Sequence, residues 1–222
     1  MLGNKMINFN DLPAKDKIYY QDESAAIYCC DNRDVLPLFP DKAFDLVLTD
    51  PPYPDDHLEY GDFDSSILTN FDCKQIVFWS KEIKFPISYS AIHIWDKVVC
   101  CGSGYERIFE RNGNRNYKVY RFNAVNSPVS AQFASDVWTA HPSQKPRKLI
   151  ESLITEYSNI TDLILDPFLG SGTTAVAAKI LGRKCIGIEI SEKYCEIAAK
   201  RLSQSVMQLE IPKEDVKTET ML

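Results

Sequence analysis

Leu46-Val47-Leu48-Thr49-Asp50-Pro51-Pro52-Tyr53 runs from three aliphatic residues and a threonine into an acid, two prolines and an aromatic ring. The apolar half reads as a buried parallel strand, opening at residue 43. The prolines end it, because they cannot donate to a β-ladder. Whatever follows Thr49 therefore lies at the carboxyl end of a strand, where open α/β sheets place their ligands. A carboxylate, a stiff backbone with exposed carbonyls and a flat ring arrive there together. That set suits a planar base bearing an amino group: acid and carbonyl accept its two N–H hydrogens while the ring stacks on its face.

Outward from this stretch, strand and helix patterns alternate. Residues 25–30 read as a strand leading to Asp31, with a short helix around 35–39. Residues 54–70 are acidic and turn-forming and read as a loop. Strand character returns at 75–79, 91–95 and 117–125. Residues 146–157 place Leu149, Ile150, Leu153, Ile154 and Tyr157 at helical spacing behind a proline. A strand over 163–165 ends at Asp166, an apolar helix over 173–181 stops at Gly182, and a strand follows over 185–190. Ser191 then caps a helix reaching about residue 202. The alternation predicts an α/β fold, a mostly parallel doubly wound sheet with helices on both faces. The 222 residues make a single domain with 61–137 as a short variable insertion, and the polar tail over 206–222 is expected to fray.

Composition narrows the class. No apolar run is long enough to span a bilayer and no signal-peptide pattern opens the chain, so membrane partners are not expected and a cytoplasmic setting is. Seven cysteines, with two adjacent pairs and no C-x-x-C, read as reduced thiols. Only three histidines are present and none lies at ligand spacing from a cysteine, so no metal is expected. The net charge is −6, yet eight basic residues face three acids between Tyr105 and Lys148. A local cationic face is all that phosphate contacts need. Arg107, Arg111, Arg115, Lys118 and Arg121 are the candidates for a nucleic-acid backbone, with ordinary solvated charge as the competing reading.

Asp166-Pro167-Phe168-Leu169-Gly170-Ser171-Gly172-Thr173-Thr174 follows a strand and opens a helix. The glycines let backbone approach a ligand, and the helix start offers free N–H groups. A phosphate loop would need a lysine that is absent, and a dinucleotide turn a third glycine where Ala175 stands. Glu189 ends the next strand nineteen residues beyond Gly170, the position from which an acid accepts ribose hydroxyls. A nucleoside without pyrophosphate fits both facts, and S-adenosylmethionine (SAM) is the obvious one.

Taken together these residues resemble the β-type (permuted) DNA amino-methyltransferases, which methylate N6 of adenine or N4 of cytosine. Asp50-Pro51-Pro52-Tyr53 is similar to their catalytic tetrapeptide, and the segment from Asp166 through Thr174 to their SAM-binding motif. His141-Pro142-Ser143-Gln144-Lys145-Pro146 resembles their H-P-T-x-K-P element with serine for threonine. Asp31 resembles the acid that contacts the cofactor adenine, and Tyr194, Ala198 and Arg201 fit the helix after the ribose acid. Ile94-Trp95-Asp96-Lys97 is similar to a segment of phage-like members. The resemblance implies a Rossmann-like SAM-dependent methyltransferase fold, encoded by a bacterium or phage. Asp50, Pro51, Pro52 and Tyr53 are then catalytic. The cofactor falls to Asp31, His141, Ser143, Lys145, Asp166, Phe168, Gly170, Ser171, Gly172, Thr173, Thr174 and Glu189.

The implied reaction is direct displacement on a flipped-out base of DNA. Aspartate at position 50 favours adenine-N6. The alternatives are cytosine-N4, an RNA substrate, or a catalytically silent nucleic-acid-binding subunit. C5-cytosine chemistry is set aside, since no cysteine follows a proline. The short insertion points to a very short target motif or a homodimer. His57 reads as a solvated loop residue, Trp79 and Trp95 as packing residues, and Trp138 as a stacking candidate.

Overall fold

Alternation along the strands sorts the core into two layers. Leu46 and Leu48 lie with Ile76 and Phe78 on one face, while Val47 lies with Val77 and Trp79 on the other, the period of two that a pleated backbone imposes. The computed structural model describes residues 7–40, 42–53, 64–98, 104–113, 117–123 and 144–204. These form β1 (Ile18–Gln21), β2 (Ala25–Cys29), β3 (Leu46–Thr49), β4 (Lys74–Trp79), β5 (Ala91–Asp96), β6 (Tyr105–Arg111), β7 (Val119–Arg121), β8 (Leu163–Asp166) and β9 (Lys184–Glu189). The helices are α1 (Asn32–Val35), α2 (Ser66–Thr69), α3 (Arg147–Tyr157), α4 (Thr173–Ile180) and α5 (Glu192–Gln204).

All nine strands share one sheet in the order β1-β2-β9-β8-β3-β4-β6-β5-β7. Strands β2, β9, β8, β3 and β4 run parallel, while β1 and β6 are antiparallel to their neighbours. The chain leaves β3 toward β4 on one side and leaves β8 toward β9 on the other. The β3–β8 boundary is therefore the topological switch point, and a crevice opens beyond the carboxyl ends of these two strands.

The expected double winding holds unevenly. On one face α3, α4 and α5 supply the layer, with Leu149, Ile150, Leu153, Ile154 and Tyr157 of α3 all buried. Each such side chain contributes about 1.5–3 kcal/mol of burial. On the other face the described cover is short: Phe9, Leu12, Val35 of α1, Leu36, Phe39, Phe44, Leu68 of α2, Phe71 and Phe85. Residues 36–38 form a 3-10 turn rather than a continued helix.

Two strands lie outside the sequence reading. β1 pairs with β2 as an edge hairpin, and β6 inserts antiparallel between β4 and β5. The described strands between residues 61 and 137 thus belong to the main sheet. Placing β6 inside the sheet corrects the phosphate assignment of two arginines. The Arg107 guanidinium donates to the carbonyls of Ser80 and Ile83 and lies 5.4 Å from the Phe109 ring centroid. The Arg111 guanidinium donates to Ser88 O at 2.8 Å, Leu68 O at 2.9 Å and Gln75 Oε1 at 2.8 Å. Both are half-buried and spend their donors on loop carbonyls, which leaves fewer donors for a phosphate. Lys118 pairs with Glu156 at 2.5 Å, and Arg121 with Asp96 at 3.4 Å with the Arg121 side chain 75% exposed. Arg115 lies outside the described residues.

Trp79 and Trp95 are buried, as expected. Beneath β5 and β6 a polar knot crosses the core. His93 Nδ1 accepts the Lys118 backbone N–H at 3.2 Å, which puts the ring proton on Nε2, 2.9 Å from Glu110 Oε2. The Tyr157 hydroxyl donates to the same carboxylate oxygen at 3.0 Å and so ties α3 to the inserted strands.

Candidate active site

Thr49 is the last residue of β3, and its hydroxyl donates to Asp166 Oδ1, at the end of β8, over 2.9 Å. That bond joins the two motifs across 117 residues of sequence. One cleft opens over it, about 450 Å³ with its mouth included, lined by Asp50, Lys145, Asp166, Phe168, Gly170 and Thr174 among others. The crevice of the switch point and the two sequence motifs thus coincide.

On the β8 side the turn is built for close approach. Gly172 has φ +83°, and a Cβ there would sit 2.6 Å from Ala198 Cβ of α5. Gly170 has φ +53°, and a Cβ there would meet nothing within 4 Å. Its open side is space that a ligand can enter. Arg201 of α5 clamps the turn: its guanidinium donates to Ser171 O at 2.5 Å, Ser171 Oγ at 3.1 Å and Thr173 Oγ1 at 3.2 Å. Burial pulls its pKa down to about 10, helped by nearby Arg147. The first turn of α4 has no side-chain cap, and Thr173 and Thr174 at its start line the cleft.

Glu189 ends β9 and accepts N–H bonds from Gly170 at 2.8 Å on Oε2 and from Ser191 at 2.9 Å on Oε1. The Ile190 N–H also bonds this carboxylate, so a ligand hydroxyl would share it with three backbone donors. Burial pushes the pKa of Glu189 up, against the pull of those N–H donors. Asp31 follows β2 on the adjacent strand, caps α1, and is gripped by the Arg33 side chain, which is the main cause of its lowered pKa. Asn32 donates to Pro167 O at 3.1 Å, fastening this segment to the turn. Asp166 is buried, and desolvation raises its pKa to about 6 against the hydrogen bonds from Thr174, Thr49 and the Phe168 N–H.

On the β3 side Asp50 stands at the cleft with Pro51 buried behind it. The Tyr53 hydroxyl donates to Asp50 Oδ1 at 2.7 Å, and its ring meets Trp79 edge-on at 5.6 Å. Asp50 Oδ2 takes the ammonium of Lys145, which also lies 3.2 Å from Glu106 Oε2. Glu106 is held from outside by Lys97 at 2.6 Å. Burial acts to lower the Lys145 pKa, but Asp50 and Glu106 outweigh it and the net direction is upward.

The structure therefore brings together Asp50, Pro51, Tyr53, Lys145, Asp166, Phe168, Gly170, Ser171, Gly172, Thr173, Thr174 and Glu189, with Asp31 two residues past the end of the strand that pairs with that of Glu189. Pro52 lies half-buried between Pro51 and Tyr53. His57, Trp138, His141 and Ser143 lie outside the described residues. Thr49, Glu106, Lys97 and the clamping role of Arg201 were not anticipated. Thr49 and Glu106 carry no local signal, since each works through a partner on a distant strand or loop. Among the described residues no group of three or more His, Cys, Asp or Glu could hold a metal, and no helix is long and apolar enough to cross a membrane.

The comparisons with known proteins bear on the fold and the family. TTHA0409 of Thermus thermophilus, complexed with S-adenosyl-L-methionine, has a TM-score of 0.53 at 20% identity over 82% of this chain and 96% of that one. The PvuII DNA methyltransferase (cytosine-N4-specific) has a TM-score of 0.65 at 17% identity over 83% of this chain and 88% of that one. At such identities the likeness is one of fold, and it makes the sheet a Rossmann-like methyltransferase sheet. M2.LlaDCHI, a type II methyltransferase of Lactococcus lactis subsp. cremoris, is 38% identical over 106 residues, 42% of this chain and 39% of that protein. The matched part is thus about two fifths of the relative's length. The family model described as DNA methylase, N6/N4 methyltransferases, matches residues 70–200, more than half of the sequence. With the tetrapeptide of Asp50 across the cleft from the glycine turn, this chain belongs to the N6/N4 DNA methylase family.

Proposed function

We propose that this protein transfers the methyl group of SAM to the exocyclic amine of a base in DNA, with N6 of adenine as the acceptor. The observation that carries the reading is the Thr49–Asp166 bond, which sets the acid-bearing strand end and the nucleoside cradle on one cleft. The cradle fits SAM. Gly170 leaves open space, Glu189 presents a carboxylate at the end of its strand, and buried Asp166 offers a carboxylate to a cationic methionine end, while Asp31, just past the neighbouring strand, is held by Arg33. SAM, when bound, supplies a methyl group on a sulfonium. The named complex of TTHA0409 with SAM supports the same cofactor.

The chain's own residues supply orientation. An exocyclic amine is a weak nucleophile, because its lone pair is delocalised into the ring. Asp50 and the Pro51 carbonyl, by accepting its two hydrogens, favour a pyramidal nitrogen whose lone pair points at the methyl group. The acid also stabilises the positive charge that develops on nitrogen. Tyr53 offers its ring to the flipped base. No covalent enzyme intermediate is needed. Lys118 and Arg121 stay as backbone-phosphate candidates, whereas Arg107 and Arg111 do not.

Aspartate at position 50 carries the choice of adenine. Cytosine-N4 is the second reading, favoured by the fold likeness to the PvuII enzyme. Incubation with methyl-labelled SAM and DNA or RNA, digestion to nucleosides and mass identification of the labelled product separates them. N6-methyldeoxyadenosine is expected; N4-methyldeoxycytidine overturns the adenine assignment, and labelled RNA overturns the DNA substrate. In the same assay Asp50→Ala is expected to keep SAM affinity and lower transfer by about 10²–10³-fold. Unchanged transfer overturns the role given to Asp50.

A further inference from the structure

Lys145 stands apart from the rest of the cofactor side. Its side chain is 9% exposed, its ammonium contacts Asp50 Oδ2 and lies 3.2 Å from Glu106 Oε2 and 5.1 Å from the Phe78 ring centroid. Glu106 Oε2 is buried without a well-directed hydrogen bond among the described residues, so the Glu106 contact is a charge contact. Asp50 takes one N–H of the ammonium, and hydrogens remain beside the acid on the lining of the cleft. The cleft thus presents an acceptor and a fixed cationic donor side by side.

Adenine shows a matching edge, an amine that donates next to N1 that accepts. Cytosine shows the same pattern with its amine and N3. Guanine and thymine reverse it, with a carbonyl oxygen next to a ring N–H. We propose that Lys145 is a specificity-determining residue that donates to the ring nitrogen beside the target amine while Asp50 accepts from the amine. Glu106, backed by Lys97, holds the ammonium at that position. A guanine or thymine edge meets like against like at both points, and a buried mismatch of that kind costs far more than a lost contact. Tyr53 leaves Asp50 Oδ1 when its ring turns to stack, and the incoming amine takes its place on that oxygen.

This inference rests on the amino-methyltransferase reading, and the experiment separates the two. Duplexes containing the site found by SAM labelling carry deoxyadenosine, 1-deazadeoxyadenosine or 7-deazadeoxyadenosine at the target; for a cytosine target the probe is 3-deazacytosine. Wild type is expected to lose roughly tenfold or more in kcat/KM on the 1-deaza duplex and little on the 7-deaza control. Lys145→Met is expected to lose a similar factor on deoxyadenosine. It then treats the deoxyadenosine and 1-deaza duplexes alike to within about twofold, while its SAM affinity changes by less than about threefold. If Lys145→Met does not fold, Glu106→Gln keeps the shape, removes one anchor of the ammonium, and is expected to shrink the 1-deaza penalty. No transfer by wild type to any DNA overturns the methyltransferase reading and this inference with it. Transfer without a 1-deaza penalty overturns this inference alone. So does a penalty that both variants retain in full, or a Lys145→Met variant whose only loss is SAM affinity.

Discussion

Asp166 shows how one buried carboxylate ties stability to ligand. Its pKa, raised by burial to about 6 from 3.8, means that the folded state holds the proton more tightly than the unfolded chain. Its contribution is favourable below pH 3.8 and is lost as pH rises through 6, a change of about 3 kcal/mol at most. Urea midpoints of wild type are therefore expected to fall more steeply from pH 4 to 7 than those of Asp166→Asn. The ionised carboxylate is the form that attracts a cationic methionine end. SAM affinity is accordingly expected to drop by about tenfold on going from pH 7 to 5, with a flatter profile in Asp166→Asn, measured by equilibrium titration. Equal profiles in the two proteins count against a contact between Asp166 and SAM. At this same scale the sequence exposed Asp50, Tyr53, Gly170 and Glu189, because each is an unusual residue at a strand end. It did not expose Thr49 or Glu106, ordinary residues whose partners lie on other strands or loops.

The inserted strands decide the second prediction. β6 lies between β4 and β5, and Arg107 and Arg111 extend from it to the carbonyls of loop residues. Each guanidinium supplies hydrogen bonds to loop carbonyls, those of Ser80 and Ile83 for Arg107 and of Ser88 and Leu68 for Arg111. Arg107→Ala is expected to destabilise the fold by about 2–3 kcal/mol in urea unfolding and to leave the salt dependence of DNA binding unchanged. Arg121→Ala, from an exposed side chain, is expected to leave stability near wild type and to reduce the slope of log K against log salt by about 1. An unchanged slope for Arg121→Ala removes it from the phosphate contacts. A charge-rich window read along the chain cannot make this distinction. A strand sends alternate side chains to opposite faces, and which face meets water depends on what packs there.

At the scale of the whole molecule, the cleft lies beyond the carboxyl ends of the paired strands β3 and β8, so a ligand in it bridges both halves of the sheet. A ligand that binds only the folded state raises stability by about 2.7 kcal/mol at a hundred times its Kd. For a chain of 222 residues that is a rise in Tm of about 5–10 °C. SAM at that concentration is expected to give such a shift in a thermal melt, whereas ATP and NAD at equal concentration are not, because the turn lacks a phosphate-binding lysine. A shift with ATP of equal size argues for a nucleotide enzyme instead.

By itself the sequence determined the α/β class, the strand ends that carry Asp50, Asp166 and Glu189, and the long helices behind them. These follow from local rules: period-two and period-3.6 patterns, prolines that end a ladder, and glycines that reach positive φ. Tertiary structure alone decided that β4 to β7 extend the one sheet, that Arg107 and Arg111 bond loop carbonyls, and that Lys145 lies between Asp50 and Glu106. The physical reason is the same in each case. Antiparallel pairing and ion pairing depend on which distant surfaces meet, and Coulomb energies at a few ångströms in a partly buried site are set by that meeting, not by spacing along the chain.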